Sequence, residues 1–549
     1  MNGFCDSSFL RDQGPKGLAK QLERLLWHLR FTDVVNIDGA GDGGGDVVAR
    51  RDGITWVFQS KWKLRDTVGA EAVDEVFGAM SKYDAARGVV VTNTRIGPSA
   101  MDRVRQLSDI GADLQTWDGA RLGLLFQGAD VSLTRFDLYP YQQGALDAVC
   151  QDLEETSRAL LFLATGLGKT VVGGETLRWH LNRKPDDKAL VVAHSRDLVE
   201  QLERAMWRHL PKFLRTQMVD GDARPDDLTG VTFATLPTAL SYARAGYRPG
   251  FVMVDEAHHV GGDGQYAELL DLLGTANLLG VTATPWRGDR FDITTRFGQP
   301  SAAVGISEGM RKGYLADVRY RLFSDNLDWD FIRNHSEHNY TLKDLNARLF
   351  LPQRDEAIRD QLLETWSTTR RPRAIVFCRS IEHAERLAEM LAAVPQWSNV
   401  LSIHGGLSKR ERQTRLLAFR NGATPIITAV DLLNEGVDVP DVNILCFARV
   451  THSRRIFIQQ LGRGLRYRKG KSHVEVLDFV SDLRRLAAVQ DLRESVRADE
   501  VEVLDIDRNQ FIFDDQRVES LMREWIEDAA NLEDAADQYR LEFPPMEIP

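Results

Sequence analysis

Short apolar runs alternate with longer stretches of helical period through most of this 549-residue chain. Between residues 139 and 299 the runs read LLFLA, ALVVA, VTFAT, FVMVD and LLGVTAT, and between 373 and 479 they read AIVFC, VLSIH, PIITA, NILCF and VEVLDF. Runs of this length are too short for helices and are typical of buried strands. Strands that alternate with helices in this way form parallel sheets that are covered on both faces. The pattern therefore predicts two α/β lobes.

The same pattern predicts an α/β fold class and divides the chain into five segments. Residues 1–130 have strand and helix signals of their own, and residues 481–549 are acidic and helical in pattern. The two parallel-sheet lobes span 138–299 and 373–480, and residues 300–372 connect them. A chain of this length is expected to hold three or four domains, at roughly 150 residues each.

The net charge of −11 is concentrated at the C-terminal end of the chain. Residues 481–549 contain 19 Asp and Glu against 8 Lys and Arg, which leaves 61 residues of each sign in the preceding part. An electrically balanced body can still present a basic groove. The overall charge therefore does not exclude a nucleic-acid partner.

Composition also bears on where the protein acts. No apolar stretch reaches the ~18 residues of a membrane span, and the first residues lack a basic-then-apolar signal pattern. Four scattered cysteines have neither metal-ligand spacing nor a disulfide framework. We therefore expect a cytoplasmic protein that has no membrane partner.

A phosphate-binding loop is the first candidate site. Residues 165–170 read TGLGKT between an apolar run and a helical stretch, which is a strand–loop–helix arrangement. The loop backbone can cradle phosphates, the lysine can reach the β- and γ-phosphates, and the final hydroxyl can hold Mg²⁺. Leu163 stands where the general motif has glycine, so the loop alone is a moderate indicator. The expected nucleotide-binding residues are Thr165, Gly166, Gly168, Lys169 and Thr170.

A second motif supplies carboxylates for hydrolysis of the nucleoside triphosphate. The apolar run 251–254 ends in DEAHH, and the carboxyl ends of parallel strands are where ligands bind. We expect Asp255 to hold the metal and Glu256 to polarise the attacking water. Phosphoryl transfer also needs positive charge at the γ-phosphate. The stretch QQLGRGLR provides that charge in Arg463 and Arg466, which are three residues apart on one helical face.

Together these motifs resemble the superfamily 2 helicases and translocases, which have two RecA-like lobes. The resemblance covers most of residues 138–480, and DEAHH, TATPWRGD and QQLGRGLR are most similar to motors of type I restriction enzymes. It implies that the arginines of QQLGRGLR are arginine fingers that engage ATP when the two lobes close. By the same resemblance, further ATP contacts are Gln142, Gly436, Asp438 and Gln459. The implied contacts to nucleic-acid phosphates are His194, Ser195 and Thr235.

The N-terminal segment carries a candidate site for metal-dependent hydrolysis. A glycine-rich stretch, GAGDGGGD, ends at Asp46, and two predicted strands follow. The second strand ends in Gln59-Ser60-Lys61, in which the first and third side chains project from the same face. A carboxylate at Asp46 and an amide oxygen at Gln59 can hold Mg²⁺ for phosphodiester cleavage. Lys61 could orient the nucleophile or stabilise the charge that develops on the phosphate.

Residues 15–126 resemble the Mrr-type branch of the PD-(D/E)xK restriction endonucleases, in which glutamine replaces the middle acid. The similarity continues through QLERLLWHLRF, VGAEAVDEVFGAM, RGVVVTNTR and TWDGARL, in the order of the family. It implies that Glu23, on the first helix, is the outer acid of a nuclease. Singly, a turn aspartate, a solvated lysine and a surface glutamate are the ordinary interpretations. Trp62 and Lys63 could add a stacking and a phosphate contact, although Trp62 could equally serve packing.

The sequence therefore predicts an ATP-driven translocase or helicase of double-stranded DNA that carries a Mg²⁺-dependent endonuclease. ATP and Mg²⁺ are the expected cofactors, and restriction of foreign DNA or DNA repair, with partner proteins of such a system, is the expected setting. Two alternatives stay open. One is an RNA-dependent ATPase with an N-terminal binding module, and the other is a remodelling motor that binds nucleic acid without cutting it.

Overall fold

The structure is a computed structural model that describes the N-terminal segment and large parts of both lobes. The described residues are 3–37, 47–133, 137–219, 228–283, 292–323, 339–341, 355–397, 399–420, 422–430, 442–448, 473–479, 511–513 and 540–542. None of the helices in these ranges is both long enough and apolar enough to cross a membrane.

Contacts along the chain separate two compact units. The first unit comprises Met1–Ala159, Thr170–Gly280 and Ser408–Thr414. The second unit comprises Leu160–Lys169, Val281–Leu407 and Arg415–Pro549. The N-terminal segment therefore shares its unit with most of the first lobe.

The N-terminal segment forms a domain around a five-stranded mixed sheet. Its helices are α1 (Ser7–Asp12), α2 (Gly14–His28), α3 (Glu71–Lys82), α4 (Pro98–Asp109) and α5 (Gly119–Gly128), with a 3₁₀ helix at Gly3–Cys5. Its strands are β1 (Thr32–Asn36), β2 (Val47–Arg51), β3 (Ile54–Lys61), β4 (Thr67–Val68), β5 (Arg87–Thr92), β6 (Arg95–Ile96) and β7 (Asp113–Trp117). The sheet order is β1-β2-β3-β5-β7, antiparallel as far as β3 and parallel beyond it, while β4 and β6 pair separately.

The two faces of the central strand β3 have different neighbours. Trp56 and Phe58 pack with Phe31 in the core cluster that also holds apolar residues of α2. Successive side chains of a strand alternate between faces, so Gln59 and Lys61 lie on the other face. Helix α3 packs against β3 and β5. The end of β3 is therefore held between two helices, which fixes the position of its polar residues.

The first lobe has the predicted parallel arrangement. Its helices are α6 (Pro140–Thr156), α7 (Lys169–Arg183), α8 (Arg196–Met206), α9 (Leu236–Arg244) and α10 (Gly264–Leu272), with a 3₁₀ helix at Ala257–His259. Its strands are β8 (Arg158–Leu163), β9 (Ala189–Ala193), β10 (Thr216–Val219), β11 (Val231–Thr235), β12 (Phe251–Asp255) and β13 (Asn277–Thr282). Within the first unit, parallel strands follow the order β10-β11-β9-β12. All residues of β9 and β12 are buried, as their continuous apolar runs require.

The remaining described elements include a second parallel sheet. The helices are α11 (Thr294–Phe297), α12 (Ile306–Arg311), α13 (Asp355–Thr368), α14 (Ile381–Ala392) and α15 (Lys409–Arg420). The strands are β14 (Pro300–Val304), β15 (Asp317–Phe323), β16 (Asn339–Thr341), β17 (Ala374–Cys378), β18 (Val400–Ile403), β19 (Ile426–Ala429), β20 (Ile444–Ala448), β21 (His473–Phe479), β22 (Phe511–Phe513) and β23 (Arg540–Glu542). The sheet order is β18-β19-β17-β20-β21-β15-β22, and β16 pairs antiparallel with β23.

The predicted α/β class with parallel sheets is confirmed, and two details differ from the sequence prediction. Strand β15 comes from the segment 300–372, which was expected only to connect the lobes, yet it lies between β21 and β22 in the second sheet. Of the acidic region 481–549, which was predicted to be helical, the structure describes six residues, and these form β22 and β23. The rest of that region lies outside the described residues.

Candidate active sites

The phosphate-binding loop begins where β8 ends, beside β14. Leu163, at the position where the general motif has glycine, is the last residue of β8 and pairs in register with Val304. The next residue, Ala164, donates its N–H to the Val304 carbonyl at 2.9 Å. Gly166 (φ 94°) and Gly168 (φ 84°) have left-handed backbone angles that glycine adopts without strain. Leu163 therefore belongs to the sheet, and the later glycines form the turn.

The interior of the loop has a polar group that suits a phosphate. Thr165 Oγ1 is buried and has no hydrogen-bond partner among the described residues. Buried hydroxyl groups are rarely left unpaired, so this oxygen is suited to a ligand. Helix α7 begins at Lys169, and a helix N-terminus carries partial positive charge. The loop and the first turn of α7, which includes Thr170, therefore offer the donors that a nucleotide phosphate needs.

The DEAHH motif directly follows the buried strand β12. Asp255 and Glu256 are both buried at the carboxyl end of this strand. Glu256 has φ 49° and ψ 51°, which lies in the left-handed region and is uncommon for a residue other than glycine. Such strain is concentrated at functional sites, where it aims a side chain. The backbone therefore supports a fixed direction for the Glu256 carboxylate.

One histidine contacts the Glu256 carboxylate, and two further histidine rings lie next to it in succession. His258 Nδ1 is 3.3 Å from Glu256 Oε2. The ring centroids of His258 and His259 are 4.4 Å apart, and those of His194 and His259 are 4.8 Å apart. His194 directly follows β9 and was expected to contact nucleic-acid phosphate. The second histidine of DEAHH therefore joins this motif to the loop after β9.

Three other predicted motor residues stand at the N-terminal ends of helices. Gln142 Oε1 accepts the Tyr139 N–H at 3.1 Å in a capping box at the start of α6. Ser195 Oγ accepts the Leu198 N–H at 3.4 Å as the N-cap of α8, and Thr235 directly precedes α9. These contacts explain the local sequence, and the expected ligand contacts of the three residues stay predictions.

Several predicted site residues cannot be placed. The second-lobe residues Gly436, Asp438, Gln459, Arg463 and Arg466 lie outside the described residues. Asp46 of the predicted nuclease site also lies outside them. Their expected roles stay predictions.

In the N-terminal domain, β3 carries Gln59 and Lys61 to its end beside β5. Gln59 is 3% exposed, and its Oε1 has no hydrogen-bond partner within the part of the chain that the structure describes. Amide oxygens are ligands that Mg²⁺ accepts, so this oxygen fits a cation. On the other side of β3, Val47 of β2 pairs with Phe58, and Asp46 directly precedes Val47 in the sequence.

Lys61 has an acidic partner that its sequence pattern does not indicate. Its Nζ lies 2.5 Å from Oε2 of Glu75, on helix α3. The two side chains are 31% and 42% exposed, so both are partly shielded from water. No local spacing links a strand-end lysine to a glutamate in the following helix. The position of Glu75 within VGAEAVDEVFGAM was the one available signal.

The residues after Lys61 contribute to the architecture of the domain. Trp62 packs against the core, and its Nε1 donates to the Leu10 carbonyl at 3.2 Å. The Lys63 N–H donates to Asn93 Oδ1 at 2.9 Å, and Asn93 Nδ2 donates to the Lys63 carbonyl at 2.8 Å. Of the two interpretations of Trp62, the structure therefore supports packing.

Glu23, which the resemblance implied as the outer acid of the nuclease, contacts the first lobe of the motor. Its two carboxylate oxygens lie 2.8 and 3.0 Å from Nε of Arg204, on α8. Burial raises the pKa of Glu23, and the charge of Arg204 opposes this effect. The other charges that act on it, Glu203 and Glu200, also belong to α8. Arg204 engages this carboxylate, and the implied role of Glu23 as the outer acid of the nuclease stays a prediction.

Further buried polar groups join α2 to the first lobe. Lys20 Nζ lies 3.0 Å from Oε2 of Glu203, which is fully buried. Arg24 is also fully buried, and its guanidinium donates to Thr216 Oγ1 at 3.4 Å and to the Pro211 carbonyl at 3.3 Å. Buried charges require such partners. The N-terminal domain is therefore attached to the lobe through specific polar contacts.

A lysine of the first lobe caps the last helix of the N-terminal domain. Lys212 Nζ donates to the carbonyls of Phe126, Gln127 and Ala129 at 2.6, 3.2 and 2.5 Å. These carbonyls stand at the end of α5, where a helix leaves acceptors unpaired and favours positive charge. Burial lowers the pKa of Lys212. The lobe thus supplies a cap that α5 lacks in its own sequence.

Three protein families match consecutive parts of the chain. Residues 10–125 match the family "Restriction endonuclease". Residues 135–287 match "Type III restriction enzyme, res subunit", and residues 353–468 match "Helicase conserved C-terminal domain". The chain joins a restriction endonuclease domain to a helicase motor. It is therefore an enzyme, and the two resemblances inferred from the sequence are confirmed.

Related proteins include restriction subunits and DNA translocases. The type I restriction enzyme EcoAI endonuclease subunit of Escherichia coli is 25% identical over 68% of this chain and 51% of its own length. The DNA 3'-5' translocase XPB2 of Sulfurisphaera tokodaii is 24% identical over 60% of this chain and 79% of its own length. The chain spans 56% and 61% of two yeast helicases that it also matches.

Among solved structures, the ATP-dependent Type ISP restriction-modification enzyme LlaBIII, bound to DNA, has a similar fold. It matches 87% of this chain and 37% of its own, with a TM-score of 0.50 and 17% identity. At this identity the similarity concerns the fold alone.

Proposed function

We propose that this enzyme is an ATP-driven translocase or helicase of double-stranded DNA that cuts DNA with its N-terminal domain. The observation that carries the proposal is the placement of Gln59 and Lys61 on one face at the end of β3. The buried Gln59 oxygen lacks a partner among the described residues, although an unpaired buried polar group costs about 1–3 kcal/mol. In a metal site, a bound cation would offset this cost by accepting the Gln59 oxygen as a ligand. A domain that only bound DNA would have no such cation to offset it. The restriction and translocase relatives support DNA as the substrate.

At the nuclease site, Gln59 Oε1 and the Asp46 carboxylate would hold Mg²⁺. When bound, this ion would polarise the scissile phosphate and make water a better nucleophile. Lys61 lies on the same face of β3 as Gln59 and brings positive charge to the strand end. It would stabilise the negative charge that develops on the phosphate oxygens.

At the motor site, the phosphate-binding loop would hold the triphosphate of ATP. Thr170 and Asp255 would hold Mg²⁺, and Glu256 would orient the attacking water. The left-handed backbone of Glu256 and its contact with His258 support a fixed carboxylate. Arg463 and Arg466 would neutralise charge on the γ-phosphate. The other proposed nucleotide contacts are Gln142, Gly436, Asp438 and Gln459.

The setting that this combination supports is restriction of foreign DNA or DNA repair, together with partner proteins of such a system. When a motor that moves along DNA and a nuclease are on the same chain, translocation can determine where the DNA is cut. All four cysteines are thiols, which is in line with the expected cytoplasmic location.

The test is cleavage of supercoiled and linear duplex DNA by the purified chain in Mg²⁺, with and without ATP. Lys61→Ala is expected to reduce cleavage by about 10²-fold or more while DNA-stimulated ATP hydrolysis persists. Lys169→Ala is expected to abolish ATP hydrolysis and the ATP-dependent part of cleavage. Lys184→Ala removes an exposed lysine after α7 and should change neither activity.

Cleavage that survives Lys61→Ala at the wild-type rate would contradict the proposed nuclease. Intact DNA together with DNA-stimulated ATP hydrolysis would favour the remodelling motor that binds without cutting. Stimulation by RNA and not by DNA would favour the RNA-dependent alternative.

A further inference from the structure

Helix α3 places one carboxylate against the proposed catalytic lysine. The helix buries Ala72, Val73, Val76 and Ala79. Glu75 stands beside this apolar stripe, and its Oε2 reaches to 2.5 Å from Lys61 Nζ. The contact therefore joins helix α3 to strand β3, and these two elements are already packed against each other in the domain core.

The other acidic side chains of α3 do not share this position. Asp74 pairs with Arg103 of α4, at 2.7 Å, and Glu71 is exposed in the first turn of α3. Glu75 is the acid of this helix that is directed at the end of β3. A general excess of negative charge on α3 does not account for its placement.

Stability alone gives little reason for the pair. A partly exposed ion pair contributes little to the stability of the fold. The lysine side chain, however, is long and has many rotamers, so its ammonium occupies one place only if a partner holds it. Catalytic groups act efficiently when they are held in place before the substrate binds.

We propose that Glu75 is a positioning residue of the nuclease, which holds the Lys61 ammonium on the face of β3 that carries Gln59. This inference rests on the proposed nuclease function. Glu75 would hold the Lys61 ammonium as an ion pair in the absence of DNA and leave N–H donors of the ammonium for a phosphate oxygen. It acts through Lys61 and needs no contact with the DNA.

Replacing Glu75 by glutamine should lower the rate of cleavage without lowering the affinity for DNA. Glu75→Gln keeps the shape of the side chain and removes its charge, so the ammonium is no longer fixed. Single-turnover cleavage at saturating duplex is expected to fall by at least about tenfold. Duplex affinity is expected to stay equal or to increase, because a negative charge beside the phosphate backbone is removed.

The experiment compares full-length wild type with Glu75→Gln, Glu75→Asp and Lys61→Ala, and it uses Glu71→Gln as the matched control on the same helix. Cleavage is measured by single-turnover kinetics in Mg²⁺. Affinity is measured by fluorescence anisotropy of a labelled duplex in EDTA. Thermal unfolding and DNA-stimulated ATP hydrolysis report on the fold. We expect Glu75→Asp to retain part of the cleavage rate and Glu71→Gln to match the wild type.

The outcomes separate the two proposals. If Lys61→Ala abolishes cleavage and Glu75→Gln cleaves at the wild-type rate, the role of Glu75 is wrong and the nuclease stands. A loss in Glu75→Gln that comes with an equal loss of duplex affinity or a lower unfolding temperature would show a structural role instead. If the wild type does not cut, or Lys61→Ala cuts normally, the nuclease function fails and the role of Glu75 fails with it.

Discussion

Burial changes the role of single polar residues in this protein. Helix α2 buries its apolar side chains and also Gln21, Glu23, Arg24 and His28. The core of the N-terminal domain covers one side of the helix, and side chains of the first lobe contact the other. Polar residues on an amphipathic helix ordinarily face water. Polar residues of α2, Glu23 among them, therefore join the N-terminal domain to the first lobe.

Replacing Arg204 by methionine is expected to cost more stability than replacing Glu23 by glutamine. Arg204→Met leaves the Glu23 carboxylate buried without its counter-charge, and such a loss typically costs about 3 kcal/mol or more. Glu23→Gln removes the charge, while Arg204 is still 29% exposed and has Glu200 at 3.6 Å. Urea unfolding followed by tryptophan fluorescence measures the free energy of unfolding of both variants.

The control is Arg244→Met, which breaks the exposed pair with Glu268 and should leave unfolding unchanged. Equal losses in Glu23→Gln and Arg204→Met would contradict the predicted asymmetry. Cleavage adds a second readout. Loss of cleavage in Glu23→Gln without loss of stability would support Glu23 as the outer acid of the nuclease.

The stability of the first unit is expected to depend on the protonation of His28. Burial, together with the charge of Arg24, lowers the pKa of His28 to about 4, whereas its ordinary value is 6.5. Between these pH values the unfolded chain binds more protons than the folded chain, so stability falls as pH falls from about 6.5 to about 4. His28→Asn can keep the bond to the Asp130 carbonyl, which Nδ1 of His28 contacts at 2.9 Å.

We expect His28→Asn to lose less stability than the wild type between pH 7 and pH 5. Urea unfolding at the two pH values gives both differences. The same loss in both proteins would show that other groups cause the pH dependence.

At the scale of elements, the strands that matched the prediction are those buried on both faces. β9, β11 and β12 coincide with ALVVA, VTFAT and FVMVD, because a parallel strand covered on both sides needs a continuous apolar run. β10 reads TQMV and β15 reads DVRYRLF, so neither has such a run. In β15, Arg321 donates to Gln361 of α13 at 2.9 Å. A strand can thus contain charged residues when side chains of a neighbouring helix form hydrogen bonds with them.

Lys212→Met is expected to loosen the C-terminal end of α5. Methionine keeps the length of the side chain but removes three hydrogen bonds from an ammonium group to carbonyl oxygens. Hydrogen bonds of charged groups contribute about 1.5–3 kcal/mol each, and the exposed carbonyls regain part of this from water. A net loss of about 2 kcal/mol or more is the expected result. Hydrogen exchange should accelerate in residues 119–131 more than in α9.

Lys184→Met is the matched control, since Lys184 is exposed. An exchange rate in residues 119–131 that stays at the wild-type value would show that water replaces the lysine at no cost. Uniform acceleration throughout the first unit would indicate that Lys212 holds the whole unit and not this helix end.

At the scale of the whole molecule, the N-terminal domain and most of the first lobe form one compact unit. Contacts from Lys20, Glu23, Arg24 and Lys212 join residues that are far apart along the chain, up to 192 positions in one case. A nuclease domain attached in this way would move together with the lobe that carries DEAHH. The proposed cutting site would therefore travel with part of the motor.

Local patterns determined the fold class and the chemistry of both candidate sites. Glycines mark the phosphate-binding turn because their backbone can be left-handed, and the two-residue period of a strand puts Gln59 and Lys61 on one face. Such features depend on neighbouring residues, so the sequence contains them completely.

Only the tertiary structure decided which groups these residues meet. It paired Lys61 with Glu75, gave the Glu23 carboxylate to Arg204 and placed β15 within the second sheet. A glutamate on a helix has the same sequence pattern whether water, a lysine or another domain covers it. Contacts between distant parts of the chain made that choice, because they determine which polar groups lose water and must find a partner in the protein.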